Sequence, residues 1–146
     1  MIFLGSDHAG YELKEAVKKH LEQRGYKYVD LGTNNAEPVD YTVIAVKVGD
    51  SVTKCESVKG LLFCGTGVGI SIAANKVKGV RAACCSDYFS AKLTRLHNNA
   101  NVLCLGGRVI GIGVAFELVD VFLETEFCGD ERHQRRIDQI AEIEIR

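Results

Sequence analysis

The stretch Leu61-Leu62-Phe63-Cys64-Gly65-Thr66-Gly67-Val68-Gly69-Ile70-Ser71-Ile72-Ala73-Ala74 decides how the chain is read. It opens as a short apolar strand, turns through three glycines at alternate positions, and continues as a helix. The glycines let the backbone bend tightly and approach a ligand closely. The first amides of a helix have no partner within it, so they can hold an anion. Cys64 stands where the strand ends, so a thiol and a set of backbone donors face the same space. A buried cysteine is by default a core thiol. Here a helix N-terminus opens directly after it, a setting that favours a thiolate, and a chemical role is equally open.

Outward from this stretch the same pattern repeats. Ile2–Leu4, Tyr26–Leu31, Gly60–Phe63, Val80–Cys85 and Val102–Leu105 read as strands. Between them lie helical patterns. Leu13, Ala16, Val17, His20 and Leu21 recur at helical spacing with Lys14, Glu15, Lys18 and Lys19 between them, and Gly25 ends the helix. Tyr41–Thr53 follows, rich in valines that lose rotamer freedom in helices. Asp87–Leu96 has Ser86 or Asp87 as its cap. Gly111–Phe127 carries Val114, Phe116, Leu118, Val119, Phe122 and Leu123. A charged tail then leads into a segment with Ile137, Ile140 and Ile143. Helical crossovers make neighbouring strands parallel, which predicts a three-layer α/β/α sandwich on a five-stranded, mostly parallel sheet. No linker, repeat or low-complexity segment divides residues 1–146, so one domain is expected, with residues 130–146 as a helical tail.

Composition narrows the function. The 146 residues, 25% charged and 47% hydrophobic with a net charge of −1, suit an ordinary globular domain and give no bulk attraction to nucleic acid or anionic membrane. No apolar run is long enough to span a membrane, and Met1-Ile2-Phe3-Leu4 does not resemble a signal peptide; a cytoplasmic location is expected. The six cysteines (Cys55, Cys64, Cys84, Cys85, Cys104, Cys128) contain no CxxC pair, so no metal site is expected and free thiols are. Cys84 and Cys104, near strand ends, read as core thiols.

In open α/β sheets ligands bind beyond the carboxyl ends of the strands. Those loops hold Asp7-His8, Cys64 to Ser71, Ser86-Asp87 and Gly106-Gly107-Arg108. The glycine loop fits no common phosphate motif. A cysteine phosphatase would need an arginine where Ile70 stands, a Walker A loop would need GK[ST] after Gly69, and Gly65-x-Gly67-x-Gly69 is one residue short of GxGxxG. A nucleotide-binding module is weakened by this, not removed. His97-Asn98-Asn99-Ala100-Asn101 follows the fourth helix and so lies at the opposite edge of the sheet, far from Cys64 within one subunit; turn chemistry also accounts for its asparagines. Arg132 and Arg136 share a helix face, either as a solvated charged face or as a two-pronged phosphate grip.

The motifs Gly5-Ser6-Asp7-His8-Ala9-Gly10, Cys64 to Lys76, His97-Asn98-Asn99-Ala100-Asn101-Val102 and Arg132-His133-Gln134-x-Arg136 resemble the type B ribose-5-phosphate isomerases, a family that includes the galactose-6-phosphate isomerase subunits. The resemblance runs from residue 1 to about residue 143. It implies a Rossmann-like fold and an aldose–ketose isomerase of the non-oxidative pentose phosphate pathway, interconverting ribose 5-phosphate and ribulose 5-phosphate through an enediol with no metal or organic cofactor. Galactose 6-phosphate or allose 6-phosphate is the alternative substrate. It also implies a homodimer or tetramer with the active site at the subunit interface, which would bring His97 to Cys64 and seat the tail on a partner. By position, Cys64 matches the catalytic base, His97 the group that opens the furanose ring, and Gly65, Thr66, Gly67, Val68 and Gly69 the loop that holds the enediolate. Thr66 counts with Cys64 and His97 among the catalytic positions. Asp7, Asn98 and Thr66 match sugar-contacting positions, and His8, Ser71, Arg108, Arg132 and Arg136 substrate-binding ones, the arginines mainly for phosphate. The chain departs from the family at Asp40-Tyr41-Thr42, usually Asp-Tyr-Pro, and at Gly129-Asp130-Glu131, usually with a second glycine.

Overall fold

A computed structural model describes residues 1–146. The elements are β1 (Ile2–Ser6), α1 (Tyr11–Gln23), β2 (Tyr28–Asp30), α2 (Tyr41–Val52), β3 (Lys59–Cys64), α3 (Val68–Ala74), β4 (Ala82–Cys84), α4 (Tyr88–Leu96), β5 (Val102–Gly106), α5 (Ile112–Glu124) and α6 (Glu131–Ile143). The five strands form one sheet in the order β2-β1-β3-β5-β4. Every pairing is parallel, so the expected α/β sandwich is present and no strand is antiparallel. β3 lies at the centre, with Leu61 opposite Leu4 and Leu103, and Cys64 opposite Gly106.

Side chains alternate across a strand, which divides the core in two. Leu4, Leu61, Phe63, Leu103 and Leu105 face α1 and α5, where Leu13, Val17, Leu21, Leu118 and Phe122 meet them. Leu62, Cys64, Val102 and Cys104 face the other way, toward Ile44, Val48, Val52 and Ile70 of α2 and α3. The valine-rich segment is therefore a helix: burial of Ile44, Ala45, Val48 and Val52 outweighs its weak intrinsic propensity. Val43 and Val46 stay exposed.

The structure departs from the sequence pattern at three places. Lys14, which the pattern puts on the polar side of α1, is completely buried. Its Nζ donates to both carboxylate oxygens of Asp30 (2.7 and 2.9 Å) and to the Thr33 carbonyl (2.5 Å). Cys84 is exposed and not a core thiol, because β4 is an edge strand with only β5 beside it. Of Ile137, Ile140 and Ile143 in the tail only Ile137 is buried; Ile140 and Ile143 are 42% and 59% exposed and line a cavity of about 400 Å³ between α6, α4 and β4. β2 and β4 are also shorter than their apolar runs, since strands of three residues leave little alternation to read.

Gly25 ends α1 with a φ of 75°, and the Tyr26 amide reaches back to the Leu21 carbonyl, a helix stop of the expected kind. Asp87 caps α4, its carboxylate accepting from the Ser90 amide at 2.8 Å. No helix is long and apolar enough to cross a membrane.

Candidate active site

The strand that ends at Cys64 delivers its thiol into a tight backbone turn. Gly67, the residue before α3, has a φ of 81°, a conformation that strongly favours glycine. Its amide donates to Cys64 Sγ at 3.1 Å. The next amide, of Val68, donates to the Thr66 hydroxyl at 3.2 Å. The first bond within the helix runs from the Ser71 amide to the Gly67 carbonyl. Gly69 and Ile70 are thus the first-turn residues whose amides the helix leaves free. Cys64 is 4% exposed and Thr66 lies at the surface. The Ser71 hydroxyl donates to the Val68 carbonyl at 2.7 Å.

The neighbouring loops close on this turn through backbone. The Gly107 and Arg108 amides donate to the Cys64 and Gly65 carbonyls at 2.8 and 2.9 Å. A methyl group on Gly106 would stand 2.6 Å from the Thr66 carbonyl carbon, and one on Gly10 would stand 2.4 Å from that of Phe63. Arg108 folds back over Gly65, with Nη1 3.4 Å from where a Cβ would be. Asp7, 6% exposed, accepts from the Ala9 and Gly10 amides through Oδ1 at 2.9 and 3.0 Å. His8 Nδ1 accepts from the Val39 amide at 3.3 Å, which leaves the proton of the neutral ring on Nε2. Asp7, His8, Cys64 to Ser71 and Arg108 therefore assemble at one edge of the sheet.

Tyr41 joins this edge although no motif marks it. Its ring lies over Gly69, with Cζ 2.8 Å from where a Cβ would be. The only signal in the sequence is its place in Asp40-Tyr41-Thr42, beside the missing proline. α2 starts at Tyr41 without that proline, Asp40 being extended and Thr42 helical.

The thiols around Cys64 are held in their neutral form. Burial, reinforced by the neighbouring sulfurs, pushes Cys85 up to about 11 and Cys104 far up, and the covered part of the otherwise exposed Cys84 raises its thiol as well. Cys64 is the sulfur of this group that accepts a backbone amide. No group of three or more His, Cys, Asp or Glu side chains is arranged to hold a metal ion.

The remaining candidates gather at the other edge. His97 caps the C-terminal end of α4, and the Asn101 carbonyl that follows accepts from Gly60 at the start of β3. Cys64 is four residues along that strand, about 13 Å at some 3.3 Å per residue. His97 stacks on His133 of α6, ring centroids 4.1 Å apart and planes 12° apart. Burial, then the His97 and Arg132 charges, lower the His133 pKa from the usual imidazole value. Arg132 and Arg136 flank this histidine on exposed positions of the same helix. Asp130 caps α6 by accepting from the Arg132 amide at 3.0 Å. Within one chain His97, Asn98, Arg132 and Arg136 thus stand apart from Cys64, as the strand order requires.

Known proteins resemble this chain over nearly its whole length. A family profile described as Ribose/Galactose Isomerase matches residues 2–140. Ribose-5-phosphate isomerase B of Escherichia coli is 46% identical, over 99% of this chain and 97% of its own. The structure of ribose-5-phosphate isomerase B from Clostridium thermocellum superposes with a TM-score of 0.94 at 47% identity, covering 99% of this chain and 97% of that one. That of the Mycoplasma genitalium enzyme with bound ribulose 5-phosphate does so with a TM-score of 0.94 at 46% identity, covering 99% and 95%. A match over nearly the whole chain by profile, sequence and structure places the protein in the ribose/galactose isomerase family.

Proposed function

We propose that the protein interconverts ribose 5-phosphate and ribulose 5-phosphate, with Cys64 as the base. The observation that carries this is the Cys64 sulfur, nearly buried, accepting the Gly67 amide beside the unpaired amides of Gly69 and Ile70. In the open-chain aldose the C2 proton passes to the sulfur, and the C1 carbonyl oxygen becomes an enediolate oxygen. Reprotonation at C1, with transfer of the O2 proton to O1, gives the ketose. The charge exists only during the reaction, and preorganised donors aimed at such a charge are worth about 2.7–4 kcal/mol each in known enzymes. The loop amides of Gly65, Thr66 and Gly69, and that of Ile70 beyond them, are free to serve, since those of Gly67 and Val68 are engaged by Cys64 and Thr66. Asp7 Oδ2 and His8 Nε2–H supply an acceptor and a donor for sugar hydroxyls. No metal or organic cofactor is needed for this sequence of proton transfers.

His97 opens the furanose ring, and Arg132 and Arg136 grip the phosphate. Their place at the opposite edge supports an active site shared between two copies of the chain, each giving Cys64 to one site and His97 to the other. α6 then contacts the partner. This fits a homodimer, or a tetramer built from such pairs, working in the cytoplasm.

The family description names galactose as well as ribose, so the test compares kcat/KM on ribose 5-phosphate, allose 6-phosphate and galactose 6-phosphate. Ribose 5-phosphate is expected to be the best substrate by more than tenfold. A higher value on a six-carbon sugar would move the assignment to that sugar and leave the chemistry in place.

A further inference from the structure

The turn that carries His97 and Asn98 is held from outside its own helix. α4 ends at Leu96, and Asn99 adopts a φ of 45°, a left-handed conformation uncommon for residues other than glycine. Arg81, just before β4, donates through Nε to the carbonyls of Asn98 (3.1 Å) and Asn99 (3.2 Å), and through Nη2 to that of Asn99 (2.9 Å). Its own amide donates to the Asn101 side-chain oxygen at 2.8 Å. Arg95, 4% exposed, donates through Nη1 to the Asn99 side-chain oxygen (2.9 Å) and the Ala100 carbonyl (2.5 Å). Every one of these acceptors is an amide oxygen. Two guanidinium groups thus fix three consecutive residues, 98–100, and the Arg81 main-chain amide ties the next, Asn101, in a conformation that their sequence alone does not favour.

We propose that Arg81 is a positioning residue for His97 and Asn98. It bridges two successive carbonyls and so sets the direction in which the chain leaves α4, and with it the place of the His97 ring on His133. Arg95 does related work from the core, where it also lies against the Phe122 ring. Arg81 is half-buried and can be changed with less damage. The catalytic consequence rests on the isomerase reading above; the structural claim does not.

The experiment compares Arg81→Met, which keeps the aliphatic stem, with Arg81→Lys, whose point charge cannot bridge two carbonyls as a planar guanidinium does. A misplaced catalytic group costs up to about 100-fold in rate. The expected result is a loss of roughly 10- to 100-fold in kcat/KM on ribose 5-phosphate for Arg81→Met, and a smaller loss for Arg81→Lys. The isotope effect with substrate deuterated at C2 should fall toward unity, because ring opening then limits the rate in place of proton abstraction. Alkylation of Cys64 by iodoacetamide should proceed at the wild-type rate. Leu21→Ala, a core change in α1, serves as the control and should keep the wild-type isotope effect despite a lower Tm.

A second measurement stands apart from turnover. The His97 ring resonances in ¹⁵N-labelled protein should shift in both variants while those of His8 stay in place. If the wild-type protein does not isomerise ribose 5-phosphate, the functional reading falls and the His97 resonances still decide the clamp. A folded variant with unchanged kcat/KM, isotope effect and His97 resonances overturns the proposal, and Arg81→Lys decides the matter where Arg81→Met does not fold.

Discussion

The two edges of the sheet hold their reactive groups by different means. At the carboxyl edge Cys64 is fixed by main chain. Its strand is central, its sulfur accepts an amide, and glycines at 10 and 106 let neighbouring loops approach within distances a Cβ would forbid. At the amino edge His97 is fixed by side chains, a stack on His133 and a turn tied by Arg81 and Arg95. Under the proposed chemistry, a base that must meet one particular C–H bond would gain from the stiffer mounting, and groups that grip a phosphate or reach a ring oxygen across an interface would work from a looser one.

Replacing Cys64 by alanine strikes the stiff edge hardest. Loss of a general base is expected to lower kcat by about 10²- to 10⁴-fold with the fold intact, read by an isomerisation assay beside circular dichroism. Mixing inactive Cys64→Ala and His97→Asn chains under conditions of subunit exchange then tests whether the edges work together in trans. Random pairing should restore about a quarter of wild-type activity, since half the dimers carry one intact site. Absence of any recovery would mean that the edges do not meet across two chains.

Asp30→Ala tests what supports the stiff edge from beneath. It leaves Lys14 buried without its counter-charge and is expected to cost about 3–5 kcal/mol in denaturant unfolding. The effect has a defined pH dependence. Burial by itself would raise the Asp30 pKa, but hydrogen bonds from Lys14 and Lys18 outweigh it and hold the carboxyl below its usual range. A group with a depressed folded pKa stabilises above its unfolded value of about 3.9, and that contribution fades as pH falls through the folded pKa. The gap between wild type and variant should therefore be full at neutral pH and narrow on acidification below about pH 4.

Gly10→Ala asks how much the close main-chain packing matters. The added methyl meets the Phe63 carbonyl carbon at 2.4 Å, a backbone contact that cannot step aside, and overpacking of this kind costs about 1–3 kcal/mol. A lowered Tm together with a lowered kcat is expected, because the displaced atom precedes Cys64. Arg132→Ala, on the looser edge, should raise KM by about tenfold, some 1.4 kcal/mol, and leave kcat nearly unchanged. A fall in kcat with constant KM would place Arg132 at the reacting atoms and not on the phosphate.

Much of this is legible in the chain without its shape. The alternation of strand and helix follows from periodicity, and the rule that parallel strands point one way puts His97 at the far edge from Cys64. What is not legible has identifiable physical causes. Lys14 reads as a surface residue because its neighbours are charged. Only the fold brings Asp30 and the Thr33 carbonyl to its ammonium group. Tyr41 meets Gly69 through a contact between α2 and α3 that no local pattern encodes. The His97–His133 stack joins residues 36 positions apart. Arg81 carries no motif at all, and its role emerges only from the carbonyls it reaches.

The sheet is bounded on both sides by strands of three residues, β2 and β4. Such brief borders offer little template for another strand, which is one way proteins avoid growing into fibres. Association through a continuous sheet is thereby discouraged, and contact falls to helices and loop ends. The apolar side chains left outside on those helices, Val68 and Ile72 on α3 and Ile140 and Ile143 on α6, are 42% to 59% exposed. α3 follows directly on Cys64 and α6 carries Arg132 and Arg136, so under the shared-site reading proposed above the same short borders would leave these side chains open to a neighbouring copy.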